Sequence, residues 1–128
     1  MSREDPRRRL GAEGERLAAA HLEAAGYVIV ERNFRTRYGE LDLVASDGES
    51  LVFCEVKTRL GRAGARIGPL DGVGAAKRRR LRLMAAQWFA ERSTEARTLT
   101  AMARFDAIGI VLAPDGRLLG LDHVEDAF

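Results

Sequence analysis

Residues 39–57 read Gly39-Glu-Leu-Asp-Leu-Val-Ala-Ser-Asp-Gly-Glu-Ser-Leu-Val-Phe-Cys-Glu-Val-Lys57. Two alternating runs flank a turn at Ser46, Asp47, Gly48 and Glu49. Alternation at period two predicts strands, and Asp-Gly between two such runs is a strong hairpin signal. In the first run Leu41 and Leu43 share one face, with Glu40 and Asp42 on the other. In the second, Val52, Cys54 and Val56 share one face, while Glu55 and Lys57 lie with Leu51 and Phe53. A two-residue loop at Asp47-Gly48, or a four-residue one, sets 44 against 51, 42 against 53 and 40 against 55. Directly opposed residues of an antiparallel pair share a face, so Asp42 and Glu55 become diagonal neighbours, with Glu40 and Lys57 beside them. A slip of one residue would separate them. The expectation is three carboxylates and one ammonium on one small patch of sheet.

Clustered acids repel one another unless a cation sits among them. Hard oxygen donors suit Mg²⁺ or Mn²⁺, and such an ion activates water and neutralises charge on a phosphoryl group. Lys57, on the face of Glu55, can orient that water or stabilise the developing charge. The competing reading of Glu55-Val56-Lys57 is an ion-pair patch on a solvated strand.

The chain has 128 residues, enough for one domain over 11–128 preceded by a loose, basic segment over 1–10. Its 46% hydrophobic and 31% charged residues are those of an ordinary globular protein. No apolar stretch approaches membrane-spanning length, and the arginine-rich start lacks the apolar core of a signal peptide. One cysteine permits no internal disulfide and suits a reducing cytoplasm. Cys54, between Val52 and Val56, reads as a buried packing thiol. The net charge of +2 conceals a separation. Residues 57–82 hold Lys57, Arg59, Arg62, Arg66, Lys77, Arg78, Arg79, Arg80 and Arg82 against Asp71 alone. A surface so basic on an otherwise acidic chain suits a polyanion, or an acidic protein partner.

Residues 11–25 predict a helix, ended by Gly26, with Leu17, Ala18, Leu22 and Ala25 as its apolar stripe. Glu15 points the way of that stripe; read alone, it is a first-turn glutamate favoured by the helix dipole. His21 reads as a boundary residue and His123 has no assigned role. Residues 27–34 predict a strand ahead of the hairpin. The glycine-rich, basic stretch 59–76 reads as a mobile substrate flap and matches neither standard phosphate-cradling spacing. Residues 75–92 predict a second helix, with Leu81, Met84, Ala85 and Trp88 inward and Arg78, Arg79 and Arg82 off that stripe; Lys77 falls at the edge of the site. Residues 103–112 predict a buried strand carrying Arg104 and Asp106 as a structural pair, and 117–121 a last short strand. A helix between the third and fourth strands implies a right-handed parallel crossover, hence a mixed sheet flanked by helices, in the order α-β-β-β-α-β-β.

Gly14-Glu15-x-x-Ala18, Gly26-Tyr27, Arg32-Asn33-x-Arg35, Gly39-Glu40-x-Asp42-Leu43, Glu55-Val56-Lys57-x-Arg59 and Arg104-Phe105-Asp106, in that order, resemble the bacterial YraN-like family. That family is similar to the PD-(D/E)xK superfamily of restriction endonucleases and Holliday junction resolvases, although Leu41 stands where its signature often has proline. The resemblance implies a restriction-endonuclease-like α/β fold and a metal-dependent nuclease acting on DNA, structure-selective, in repair or recombination. It implies Asp42 and Glu55 as Mg²⁺ or Mn²⁺ ligands, Glu15 assisting from the first helix, and Lys57 positioning water. The nucleic-acid backbone falls to Arg59, Arg62, Arg66, Lys77, Arg78, Arg79 and Arg82. Resolvases of that superfamily act as homodimers; the sequence shows no distinct dimer surface. A non-catalytic nucleic-acid-binding module and a protein-interaction adaptor with a basic helix are the competing readings.

Overall fold

The computed structural model of the chain describes residues 5–62, 64, 74–92 and 102–128. Its elements are α1 (Pro6–Ala24), β1 (Val28–Thr36), β2 (Gly39–Ser46), β3 (Ser50–Leu60), α2 (Ala75–Ala90), β4 (Met102–Leu112) and β5 (Leu118–Val124). The expected order α-β-β-β-α-β-β is the observed one. The five strands form one sheet in sequence order, β1-β2-β3-β4-β5. β3 and β4 pair in parallel, across the connection that contains α2, and the other pairs are antiparallel.

Each helix covers one face of the sheet. Ala18, Ala19 and Leu22 of α1 pack on Leu43, Ala45, Val52, Cys54, Ile108 and Ile110. Leu81, Met84, Ala85 and Trp88 of α2 pack on Leu41, Val44, Leu51, Phe53 and Phe105. Trp88 and Phe53 meet edge-on with ring centroids 5.8 Å apart, a geometry aromatic pairs favour. Within β3 the alternation is therefore as read, with Val52, Cys54 and Val56 toward α1 and Leu51 and Phe53 toward α2.

Three local expectations are corrected. First, α1 starts at Pro6 rather than at residue 11, because Asp5 caps it and accepts the Arg7 N–H at 2.9 Å, with proline at the helix start. Its buried stripe takes in Ala19 and leaves Ala25 exposed, since the helix ends at Ala24 and Gly26 turns the chain with φ +97°. Second, the hairpin turn centres on Gly48-Glu49. Asp47 N–H donates to the Ser50 carbonyl at 3.3 Å, and the Asp47 carboxylate accepts from the N–H groups of Glu49 and Ser50 at 2.9 and 2.7 Å. The ladder therefore pairs Leu43 with Cys54 and Val44 with Phe53, two residues from the expected register. An even shift leaves every side chain on its face. Third, Leu41 and Leu43 do not share a face: Leu43 packs under α1 and Leu41 under α2. The reason lies at Asn33, whose φ of +51° breaks the extended run of β1 opposite Asp42. Both strands change faces there: in β1, Glu31, bonded to Trp88 Nε1 at 3.3 Å, and Phe34 both lie toward α2 although they are three residues apart.

Candidate active site

The site grows from that change of face. The β2–β3 ladder ends at Leu43 and Cys54. Beyond it, the backbone N–H of Val56 donates to Asp42 Oδ2 at 2.8 Å. A carboxylate bonded to a strand N–H lies in the gap between the strands, where groups from both faces of the sheet can reach it.

Glu15 arrives from α1. The helix comes unusually close to β3 at Gly14: a β-carbon there would overlap the Thr58 hydroxyl and stand 2.7 Å from Thr58 Cβ and Cγ2. Glycine is what permits the approach, and it brings the next residue, Glu15, over the strand ends. Carboxylate oxygens of Glu15, Glu40 and Asp42 all lie within 4.8 Å of one another. Asn33 holds two of these acids together. Its amide nitrogen donates to Glu15 Oε2 at 2.6 Å and to Glu40 Oε1 at 2.9 Å. The residue that breaks β1 thus also braces the acids, and one amide donating to two carboxylates offsets part of their repulsion.

Glu55 is near but turned aside. Its Oε1 is 2.7 Å from Lys77 Nζ on the first turn of α2. Burial, first, and then the Glu55 charge push the Asp42 carboxyl up to about 8; the Val56 N–H pulls the other way, while Glu15 and Glu40 add to the rise. Three carboxylates therefore meet with a fourth beside them, and in the absence of a cation Asp42 holds a proton near neutrality. Lys57 follows two residues along β3 and is half-buried. A cleft opens beside the acids, lined by Tyr38, Glu40, Glu55, Lys77, Arg80 and Met84.

The structure thus groups Glu15 and Glu40 with Asp42, and holds Glu55 beside them against Lys77. Among the basic residues, Arg59, Arg62, Arg78, Arg79 and Arg82 are exposed, and Arg82 lies over the Phe105 ring with its guanidinium carbon 5.2 Å from the centroid. Arg66 and most of the expected flap lie outside the described residues. Arg80 lines the cleft, a position that its place in a run of basic residues did not distinguish. Asn33 was legible only as part of a motif, with nothing to mark it as a brace.

Asp106 sits apart in its bonding. It is fully buried, accepts a two-pronged bond from Arg104 at 2.9 and 2.8 Å, the Asp126 N–H at 2.9 Å, and pairs with His123 Nε2 at 2.8 Å. His123 Nδ1 meets His21 Nε2 of α1 at 3.0 Å, and Arg104 donates to the Tyr27 hydroxyl at 2.6 Å. Burial alone would raise the Asp106 carboxyl, but the bonds from His123, Arg104 and the Asp126 N–H outweigh it and hold the group below the ordinary carboxylate range. Arg104 and Asp106 are the structural pair expected, and the two histidines, given no role from sequence, complete their network. Cys54 is buried, and burial pushes its thiol well above the ordinary range, which suits packing and not nucleophilic attack.

The donor set fits a divalent cation. All four acids offer hard oxygens, and Glu15 and Glu40 are braced by a neutral amide. Glu40 Oε2 lies 3.5 Å from Arg35 Nε, a highly exposed guanidinium that water screens.

Comparison with known proteins follows the same residues. The model of the uncharacterised protein family UPF0102 matches residues 14–110, a span that includes all four acids and Lys57. A UPF0102 protein of Rhodococcus opacus is 44% identical over 119 residues, covering 93% of this chain and 95% of that protein. One from Symbiobacterium thermophilum is 48% identical over 112 residues, covering 87% and 89%. One from Geobacter metallireducens is 43% identical over 120 residues, covering 93% and 91%.

Proposed function

Since the chain belongs to the UPF0102 family, the YraN-like group its motifs resemble, we propose from its own geometry that it is a metal-dependent nuclease. Its substrate is DNA, its reaction the hydrolysis of a phosphodiester bond, and its preference one of shape. The observation that carries this reading is the gathering of Glu15, Glu40 and Asp42, with Glu55 close by, beside a cleft that also presents Lys77 and Arg80.

A bound Mg²⁺ or Mn²⁺ would supply Lewis acidity at the scissile phosphate and a more acidic water. Glu15, Glu40 and Asp42 would hold it, with Glu55 completing the oxygen set. Asp42 is oriented for this by the Val56 N–H, and Glu15 and Glu40 by Asn33. Lys57 orients the attacking water and offers positive charge where the pentacovalent phosphate accumulates negative charge. Lys77 and Arg80 face the backbone phosphates in the cleft, and the exposed Arg78, Arg79 and Arg82 extend that surface. Contacts to phosphate position a duplex without reading its bases, hence the expectation of shape preference. Symmetric cutting of a junction would need two copies, hence a homodimer when the substrate is branched.

The test is to incubate the purified protein with labelled single-stranded, duplex and four-way-junction DNA in Mg²⁺ or Mn²⁺. Cleavage that vanishes in Asp42→Ala and Glu55→Ala while binding persists is the expected result. Binding without cleavage in either metal would make the chain a nucleic-acid-binding module. Indifference to DNA at low salt would favour an adaptor for an acidic protein.

A further inference from the structure

We propose that Lys77 is a latch that keeps Glu55 from the acid cluster until a phosphate of the substrate enters the cleft. This rests on the nuclease reading above and specifies how its site is assembled.

Three of the four acids are grouped so that one ion could touch them all; Glu55 is not in that group. It is held by Lys77 Nζ at 2.7 Å, in a pair whose side chains are only 24% and 16% exposed. Yet Glu55 directly precedes Val56, whose N–H binds Asp42 Oδ2 at 2.8 Å, and it lines the same cleft as Glu40, so it lies beside the cluster. An ammonium and a divalent cation compete for the same carboxylate. A phosphate and Glu55 compete for the same ammonium. Lys77 is placed where both contests meet, because the cleft that Glu40 and Glu55 line also contains Lys77 and, one helical turn on, Arg80. A phosphate entering between Lys77 and Arg80 draws Lys77 from Glu55 and frees that carboxylate for the ion. Coupling of this kind is reciprocal: DNA raises the affinity for the cation, and the cation raises the affinity for DNA.

The experiment measures Ca²⁺ binding by calorimetry, with and without a short DNA duplex, on the full chain. Ca²⁺ is the probe because it takes oxygen ligands in flexible geometry. Without DNA, Lys77→Met is expected to bind Ca²⁺ more tightly than the natural protein, by at least about threefold for a partly buried ion pair. The duplex is expected to raise the Ca²⁺ affinity of the natural protein and of Lys77→Arg, which keeps the latch, but not of Lys77→Met. Lys77→Gln repeats the test if the methionine variant does not fold. Equal or weaker binding by the Lys77→Met or Lys77→Gln variant, or an undiminished effect of the duplex on it, overturns the latch while leaving the metal site in place. If neither the natural protein nor the folded variant binds Ca²⁺, the metal site itself fails, and the latch with it.

Discussion

Asp42 accepts the Val56 N–H while facing three other carboxylates, and the two surroundings pull its proton in opposite directions. Burial and like charge win, and the carboxyl rises to about 8. The linkage follows from that direction. The folded metal-free chain binds this proton more tightly than the unfolded chain does, so the contribution to stability is complete below the ordinary aspartate value. It is lost as pH rises toward the folded value. We predict that metal-free protein loses stability between about pH 4 and pH 8, by an amount on the order of a few kcal/mol. Urea titrations across that range check it: Asp42→Asn should flatten the curve, and saturating Mn²⁺ should oppose the loss. Asn33 allows a second prediction at this scale. Its φ of +51° suits glycine better than alanine, so Asn33→Ala should be less stable than Asn33→Gly by about 1 kcal/mol. Both should weaken Mn²⁺ binding, because each removes the amide that braces Glu15 and Glu40.

Between elements, α1 approaches β3 closely at Gly14 and Thr58. Gly14→Ala should cost about 1–3 kcal/mol by overpacking, and Thr58→Ala in the same chain should recover part of it. Thermal melts of the two single variants and the double variant measure the coupling. An unchanged Gly14→Ala would mean that the helix can retreat without cost. Element order was legible because β3 alternates cleanly and α2 carries its apolar residues at helical spacing. The break at Asn33 was not legible, since periodicity presumes an unbroken strand and asparagine tolerates either backbone. The turn was displaced by one residue because Asp47 acts through its carboxylate as a cap for the loop and does not occupy its centre. The acids of the site were found with Glu40 left open. Lys77 was placed at the edge of the site, but its pairing with Glu55 and the brace from Asn33 were not legible, because periodicity along a strand or helix says nothing of which side chains meet between elements.

Across the whole molecule, Asp106 ties β4 to α1, to the segment after α1 and to β5 through His123, His21, Arg104 and Tyr27. Removing it would leave a partly buried guanidinium without its main partner, and Asp106→Ala should destabilise the fold by about 3–5 kcal/mol in urea unfolding. Because its carboxyl is depressed, that contribution should hold above the ordinary aspartate value and fade only as pH falls through the lower folded one. The sheet's single parallel seam, between β3 and β4, has a kinetic consequence. It closes only after the chain has travelled through α2, whereas the β1–β2–β3 meander is local and can form early. Glu40, Asp42 and Glu55 all belong to that early unit, so their mutual repulsion opposes the nucleus itself. Alkaline conditions should then slow refolding more than they hasten unfolding, and a divalent ion should act first on the folding limb of the chevron.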